Sequence, residues 1–407
     1  MHLNNGSSWN MRKRRRRASP GRILLLLALI GGLLYFYQFV IPTVPRPFVP
    51  VATATRSPLS YVEEAQAFFA TGKFERAIEA YEQAIRADPV NMDYYLELAR
   101  IQIHAGDVEG GLENAENAIL INPDSARGHA IRGWALAFFP ERGDEAESAL
   151  VKSLELDPGL AEAHAHYAEL LSDQLRWNEA AEQARQALAI APNSLEARLA
   201  MAYVFESTGN YDEAIAEYEK AQSINPNVPT IYLSLGNNYR AQGDADNAIS
   251  LFQKAIALSP ENAVPYSLIA QTYGSIGEYG KASQYAEQAM GLDESNPRLH
   301  GLLGRMYYHN NELEKSLPEL ELATRGGMTA SGVRVTGLQP GPGIEAEYYY
   351  TYGLALVKLE RCSEAIPLFE LLLATVSEEQ DEIAVFNAGE GIRMCNEPDS
   401  TAPAPSP

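Results

Sequence analysis

Six prolines recur along the chain at almost constant spacing: Pro89, Pro123, Pro158, Pro192, Pro226 and Pro260, with gaps of 34, 35, 34, 34 and 34 residues. A fixed period in this range marks stacked supersecondary units, so one observation constrains most of the fold. The prolines close similar phrases, such as Ala-Asp-Pro, Ile-Asn-Pro and Leu-Asp-Pro. Proline cannot continue a helix and biases its predecessor away from helical angles, so each phrase reads as a helix stop. At 407 residues the chain exceeds an ordinary single domain, yet its body shows no break in composition. A solenoid resolves this, because each unit packs only on its neighbours.

Charge divides the chain. Residues 1–57 carry nine Lys/Arg and no Asp or Glu, leaving 23 basic against all 53 acidic side chains beyond them. An acidic body of this size lacks the basic footprint that phosphate binding needs, which argues against nucleic acid. The acid either keeps a long helical surface soluble or selects a basic partner. Arg12, Lys13 and Arg14 to Arg17 precede an uncharged apolar run from Ile23 to Ile41. As a helix those residues reach about 28 Å, close to a hydrocarbon core of about 30 Å. Tyr35, Phe36, Tyr37 and Phe39 crowd the far end, where amphipathic rings favour an interface. The basic cluster predicts an N-terminus held in the cytoplasm and an extracytoplasmic body. The alternatives are a cleaved signal peptide, with Ala52-Thr53-Ala54 as a distant small-x-small site, and a cytoplasmic body. Five prolines between Pro42 and Pro58 predict an extended spacer.

Aligned on the prolines, repeats start at Pro58, Met92, Arg127 (after a one-residue insertion), Ala161, Leu195, Pro229, Ala263 and Pro297, with a ninth at Ala346. Position 20 is small throughout, as in Ala77, Ala146, Ala214 and Ala365. Position 27 is small as well, as in Ala84, Ala187 and Ala255. Larger groups (Tyr81, Leu150, Tyr218, Phe252, Phe369) recur at position 24. Gly72, Gly106, Gly209, Gly243 and Gly277 supply turns, where positive φ is cheap for glycine. This pattern resembles the tetratricopeptide repeat family over about residues 58–395. The resemblance implies an all-α solenoid, a right-handed superhelix of about nine helix-turn-helix repeats, which binds peptides or protein surfaces on the concave face formed by the first helices. Mapped by register, the candidate groove residues are Arg100, Trp134, Tyr203, Asn237, Arg240, Gln271, Arg305 and Tyr308. The Lys/Asn/Arg clamp by which chaperone-binding members hold acidic tails is absent, with Val62 and Gln66 at two of its positions.

The expected organisation is a basic cytoplasmic tail (1–22), a transmembrane signal anchor (23–41), a Pro-rich linker (42–57), repeats 1–8 (58–330), a Gly/Pro-rich insertion (326–345), repeat 9 (346–378), a capping helix (379–396) and a disordered tail (397–407). Disorder is expected for the insertion, with folding onto the groove or a partner as the alternative. Pro318 and Pro367, inside second helices, are expected to bend them. Cys362 and Cys395 fall at ends that meet in a helical hairpin, so they form either a disulfide or two buried thiols. The seven histidines are scattered and no metal, nucleotide or triad motif occurs, so neither cofactor nor catalysis is expected. The lone sequon, at Asn5, lies on the expected cytoplasmic side and the body has none, which favours a bacterial source. The reading is a membrane-anchored, extracytoplasmic scaffold for protein or peptide partners; the alternative is a cytoplasmic-side adaptor regulating a membrane protease or synthase.

Overall fold

The computed structural model describes residues 20–35, 38 and 56–397. The chain divides into two units, residues 1–56 and 57–407. In the first, α1 spans Pro20–Tyr35, 16 residues whose described leucines are all more than half exposed. No helix among the described residues is long and apolar enough to cross a membrane. Most of the expected apolar span beyond Tyr35, the basic cluster and the Pro-rich linker lie outside the described residues, as does the tail past residue 397.

The second unit is a run of antiparallel helical hairpins. The first four are α2 (Pro58–Ala70) with α3 (Phe74–Ala87), α4 (Met92–Ala105) with α5 (Val108–Ile121), α6 (Ala126–Ala137) with α7 (Gly143–Leu156), and α8 (Ala161–Asp173) with α9 (Trp177–Ile190). Next come α10 (Leu195–Ser207) with α11 (Tyr211–Ile224), α12 (Pro229–Ala241) with α13 (Ala245–Leu258), and α14 (Ala263–Ser275) with α15 (Tyr279–Leu292). The last two are α16 (Pro297–His309) with α17 (Leu313–Arg325), and α18 (Ile344–Lys358) with α19 (Cys362–Thr375), followed by α20 (Glu382–Asn396). The proline phrases act as read: α3, α5, α7, α11 and α13 each stop one residue before an Asp, Asn or Ser that precedes proline. That residue is extended, as at Asp88 (φ −146°, ψ 83°), the region a following proline enforces.

Packing follows the register. Ala77, Ala146, Ala214 and Ala365 at position 20 are fully buried, as are Ala84, Ala187 and Ala221 at position 27. Small side chains there let helices approach closely, while Tyr81, Phe252 and Phe369 fill the space between. The match is tightest where position 8 is glycine. A Cβ at Gly236 would lie 2.4 Å from the Phe252 ring, and one at Gly353 2.4 Å from Phe369.

The third repeat corrects the sequence reading. Helix α6 starts at Ala126, one residue before the expected Arg127, and the extra residue is taken up by a 3-10 turn at Pro140–Arg142 between α6 and α7. Position 4 confirms the shift: the His129 Nε2 lies 2.9 Å from the Pro123 carbonyl. Tyr232 donates to the Pro226 carbonyl (2.7 Å) and His164 Nε2 sits 3.0 Å from that of Pro158, the same bond six residues back. Elsewhere the hairpin turn needs positive φ, supplied by glycine five times but also by Leu175 (59°), Asn311 (62°) and Glu360 (60°). Leu175 is 68% exposed and buries little in return. Leu175→Gly is therefore expected to raise stability by roughly 0.5–1 kcal/mol, read from the urea midpoint at unchanged slope.

The expectation of disorder for 326–345 is also corrected. Strands β1 (Gly327–Met328) and β2 (Arg334–Val335) pair antiparallel, with Gly327 opposite Val335. Val335 is buried, Leu338 N–H donates to the Ala323 carbonyl (2.8 Å), and the Tyr349 hydroxyl lies 2.8 Å from the Leu338 carbonyl. The glycines that gave the segment a disordered composition permit close backbone contact: a Cβ at Gly326 would stand 2.6 Å from the Gly337 nitrogen. Neither Pro318 nor Pro367 ends its helix. At the C-terminus α20 lays Ala384, Ala388 and Gly391 on α18–α19 and leaves Ile383 and Phe386 two-thirds exposed. Cys362 and Cys395 form a disulfide with Cα atoms 5.5 Å apart, closing 33 residues. Reduction is expected to destabilise this end by about 3–4 kcal/mol on the chain-entropy estimate, seen as a lower melting temperature with dithiothreitol that Cys395→Ser reproduces without it.

Candidate binding groove

The first helices of successive hairpins share one face, and it closes on itself. Asn227, between α11 and α12, donates from Nδ2 to the Ala70 carbonyl at the end of α2 (2.8 Å), across 157 residues of chain. Gly72 sits against the same Asn227, where a Cβ would lie 3.1 Å from the Asn227 Cβ. Inside this closure lies a cavity of about 770 Å³, walled by α4, α6, α8, α10 and α12 and by the turns at residues 72–76 and 258–262. Trp134, Phe138, Tyr203, Leu199 and Leu233 give it an apolar lining, and Glu169 and Asp173 give it charge.

Of the eight groove residues read from the register, two meet at this cavity. Trp134 is 8% exposed, stacked on His166 (4.4 Å between ring centres, 8° between planes) and edge-on to His104 at 5.1 Å. Tyr203 donates its hydroxyl to Asp173. Register from Ala126 puts Trp134 at position 9, level with Glu169 and Tyr203, which accounts for their shared wall.

Arg100 is occupied by the protein itself. It pairs with Glu97 (3.0 Å) on its own helix and Glu196 (3.4 Å) on α10, and its guanidinium covers the Phe69 ring at 4.8 Å. Arg127 extends the network, meeting Glu97 and Glu162 at 2.8 Å each. Burial draws the Glu97 carboxyl up, but Arg100 and Arg127 hold it below the ordinary range. The other five lie further along. Arg240 bonds Gln271 (3.0 Å), and burial lowers its pKa with no carboxylate beside it. The Asn237 Oδ1 is buried without a hydrogen-bond partner. Arg305 pairs with Glu347 at 2.6 Å, and Lys358 lies 4.1 Å above the Tyr308 ring.

The register also places His104 and Glu206 on this face. His104 lines the cavity at 6% exposure, and burial, helped by Arg100, pushes its pKa down to about 3, so it is neutral. Glu206 accepts from the Tyr218 hydroxyl (2.8 Å) and Asn238 Nδ2 (2.9 Å), and burial raises its pKa.

Stacked antiparallel hairpins enclosing an inward-facing cavity define a helical-repeat protein whose first helices present a concave surface. Family models described as tetratricopeptide repeat match residues 62–127 and 268–330 in one form and 193–261 and 227–295 in another, together about half of the chain. The chain belongs to the tetratricopeptide-repeat family. Among curated proteins, Hsp70-Hsp90 organizing protein 3 of Arabidopsis thaliana is 29% identical over 96 residues, 24% of this chain and 17% of that protein. Hsp70-Hsp90 organizing protein 2 of the same plant is 31% identical over 96 residues, with the same coverage. The chain thus spans about a sixth of these relatives' length. Among solved structures, a human IFIT1 dimer with m7Gppp-AAAA superposes with a TM-score of 0.53 at 18% identity, over 83% of this chain and 81% of that one. At that identity the likeness concerns fold alone.

Proposed function

We propose that the protein is a non-catalytic scaffold that holds a segment of a partner polypeptide in its concave cavity, tethered to the cytoplasmic membrane by its N-terminal apolar segment. One observation carries the binding part. The cavity of about 770 Å³ is left unfilled by the chain's own side chains although aromatic and charged groups line it. Preformed concavity of this kind holds a ligand with little reorganisation. An envelope assembly or positioning role suits such a scaffold. The chaperone-organising role in the names of the short-matching relatives does not carry over, because Val62 and Gln66 stand where an acidic tail would need Lys and Asn.

The tether rests on sequence: six basic residues at 12–17 ahead of Ile23–Ile41, with α1 helical over Pro20–Tyr35. The body is proposed to be extracytoplasmic, by the charge rule and because a disulfide persists in an oxidising compartment. A cytoplasmic body would make the protein an adaptor for a membrane enzyme. An impermeant thiol reagent applied to intact cells after mild reduction should label Cys362 and Cys395; labelling only after lysis would favour the adaptor.

The binding reading is tested by recovering complexes from solubilised membranes. Phe138→Glu, in the cavity lining, should lose a partner that wild type and Lys152→Glu, on α7 away from the lining, both retain. Loss with Lys152→Glu alone would refute it.

A further inference from the structure

Resting on the groove reading, we propose that the cavity is specific for a cationic segment of the partner: an extended stretch whose Lys or Arg side chain ends between Glu169 and Asp173. The residues divide the work. Trp134, Phe138, Tyr203 and Leu199 offer apolar surface to an aliphatic stem, while the two carboxylates, one helical turn apart on α8, face the head group.

The carboxylates differ from their neighbours in being uncompensated. Along the same inner face Glu97, Glu162, Glu196 and Glu347 each meet a guanidinium within 3.4 Å. Among the described residues Glu169 has only the His166 Nδ1 at 3.7 Å, and Asp173 has only the Tyr203 hydroxyl. Burial raises the Asp173 carboxyl pKa with no cation to oppose it. Glu206, one helix on, is held by Tyr218 and Asn238 and likewise meets no cation. The cations on the lining, Lys73 and Arg76, belong to the α2–α3 turn and the start of α3 and pair with none of these carboxylates. Like-charged carboxylates in a partly buried wall are costly until a cation arrives, so the free protein is set up for one.

A second, independent observation points the same way. His104 lines the cavity, is 6% exposed, and its Nε2 has no hydrogen-bond partner. An unpaired buried nitrogen is expensive, and the neutral ring offers it to a ligand's backbone amide or carbonyl. That requirement favours a peptide over a simple amine, which would satisfy the carboxylates alone. The chemistry is the reverse of acidic-tail recognition.

The test uses the full-length chain in detergent and a fluorescein-labelled Leu-Lys-Leu-Arg-Leu-Ala peptide, followed by anisotropy. Wild type should bind it and ignore the twin with Glu at both basic positions. Glu169→Gln with Asp173→Asn should weaken binding at least tenfold, about the effect of one lost charge-assisted contact. Asp173→Lys should transfer preference to the Glu twin, which guards against a merely misfolded variant. Equal binding of both peptides, an unchanged affinity in the double variant, or displacement by n-butylammonium at the peptide's own concentration would overturn the proposal. If Phe138→Glu abolishes partner capture while the double variant changes nothing, the groove reading survives and the cationic specificity falls.

Discussion

Phe369→Ala is expected to destabilise the C-terminal end of the solenoid by about 3–5 kcal/mol, the usual cost of deleting a fully buried aromatic ring. Phe369 is 0% exposed and sits between two helices that approach it through glycine. A Cβ at Gly353 on α18 would come within 2.4 Å of the ring and one at Gly391 on α20 within 2.2 Å. Neither wall can be filled from its own side, so the lost ring leaves a void. Gly391→Val should be as damaging for the opposite reason, because it overpacks a site with no slack. In a solenoid each repeat contacts only its neighbours, so the damage should stay local. Amide exchange should speed up over α18 to α20 and remain unchanged over α4 to α8. Uniform loss of protection along the chain would show that the repeats are more strongly coupled than this packing implies.

Arg100→Ala has the second large effect. The side chain joins α4 to α10 through Glu97 and Glu196, and through Glu97 to Arg127 and Glu162. Removing it leaves Glu196, 16% exposed, without a guanidinium and Glu97, 24% exposed, with Arg127 alone. Breaking a buried pair costs about 3–5 kcal/mol, and the residual exposure here points to roughly 3. The pH dependence follows in sign. Burial pulls both carboxyls up, but Arg100 holds Glu97 and Glu196 below their ordinary range overall. A depressed folded pKa gives stability that is complete above the unfolded value, about 4.3 for glutamate, and is lost as pH falls through the folded one. Wild type should therefore lose stability on acidification below about pH 4.3 more steeply than Arg100→Ala, and the two should converge in acid. A constant difference down to pH 2 would place the effect in packing against Phe69 instead.

Most of the fold was legible because the solenoid repeats its instructions. The Asp/Asn-Pro phrases, the alanines at positions 20 and 27 and the large residue at 24 each recur often enough to outvote local noise. What escaped has identifiable physical causes. The third repeat absorbs its extra residue in a 3-10 turn at Pro140, a change that proline spacing alone cannot locate between the two helices. The histidines looked scattered, yet His129, His164 and His300 occupy one register position and reach back to a carbonyl six residues earlier. The 326–345 segment reads as disordered by composition, but its glycines serve close backbone contact. In the groove, Trp134 and Tyr203, two of the eight residues read from register, line the cavity. Register could not show that Arg100 is taken up by Glu196, since that contact depends on how tightly the solenoid curls over 96 residues.

The most direct measurement is site-specific photocrosslinking in intact cells from position 138, at the cavity, with position 152 as reference. The account predicts one polypeptide adduct from 138, mapped by mass spectrometry to a Lys- or Arg-bearing segment, and none from 152. Adducts from 152 only, or a position-138 adduct on an acidic segment, would contradict it.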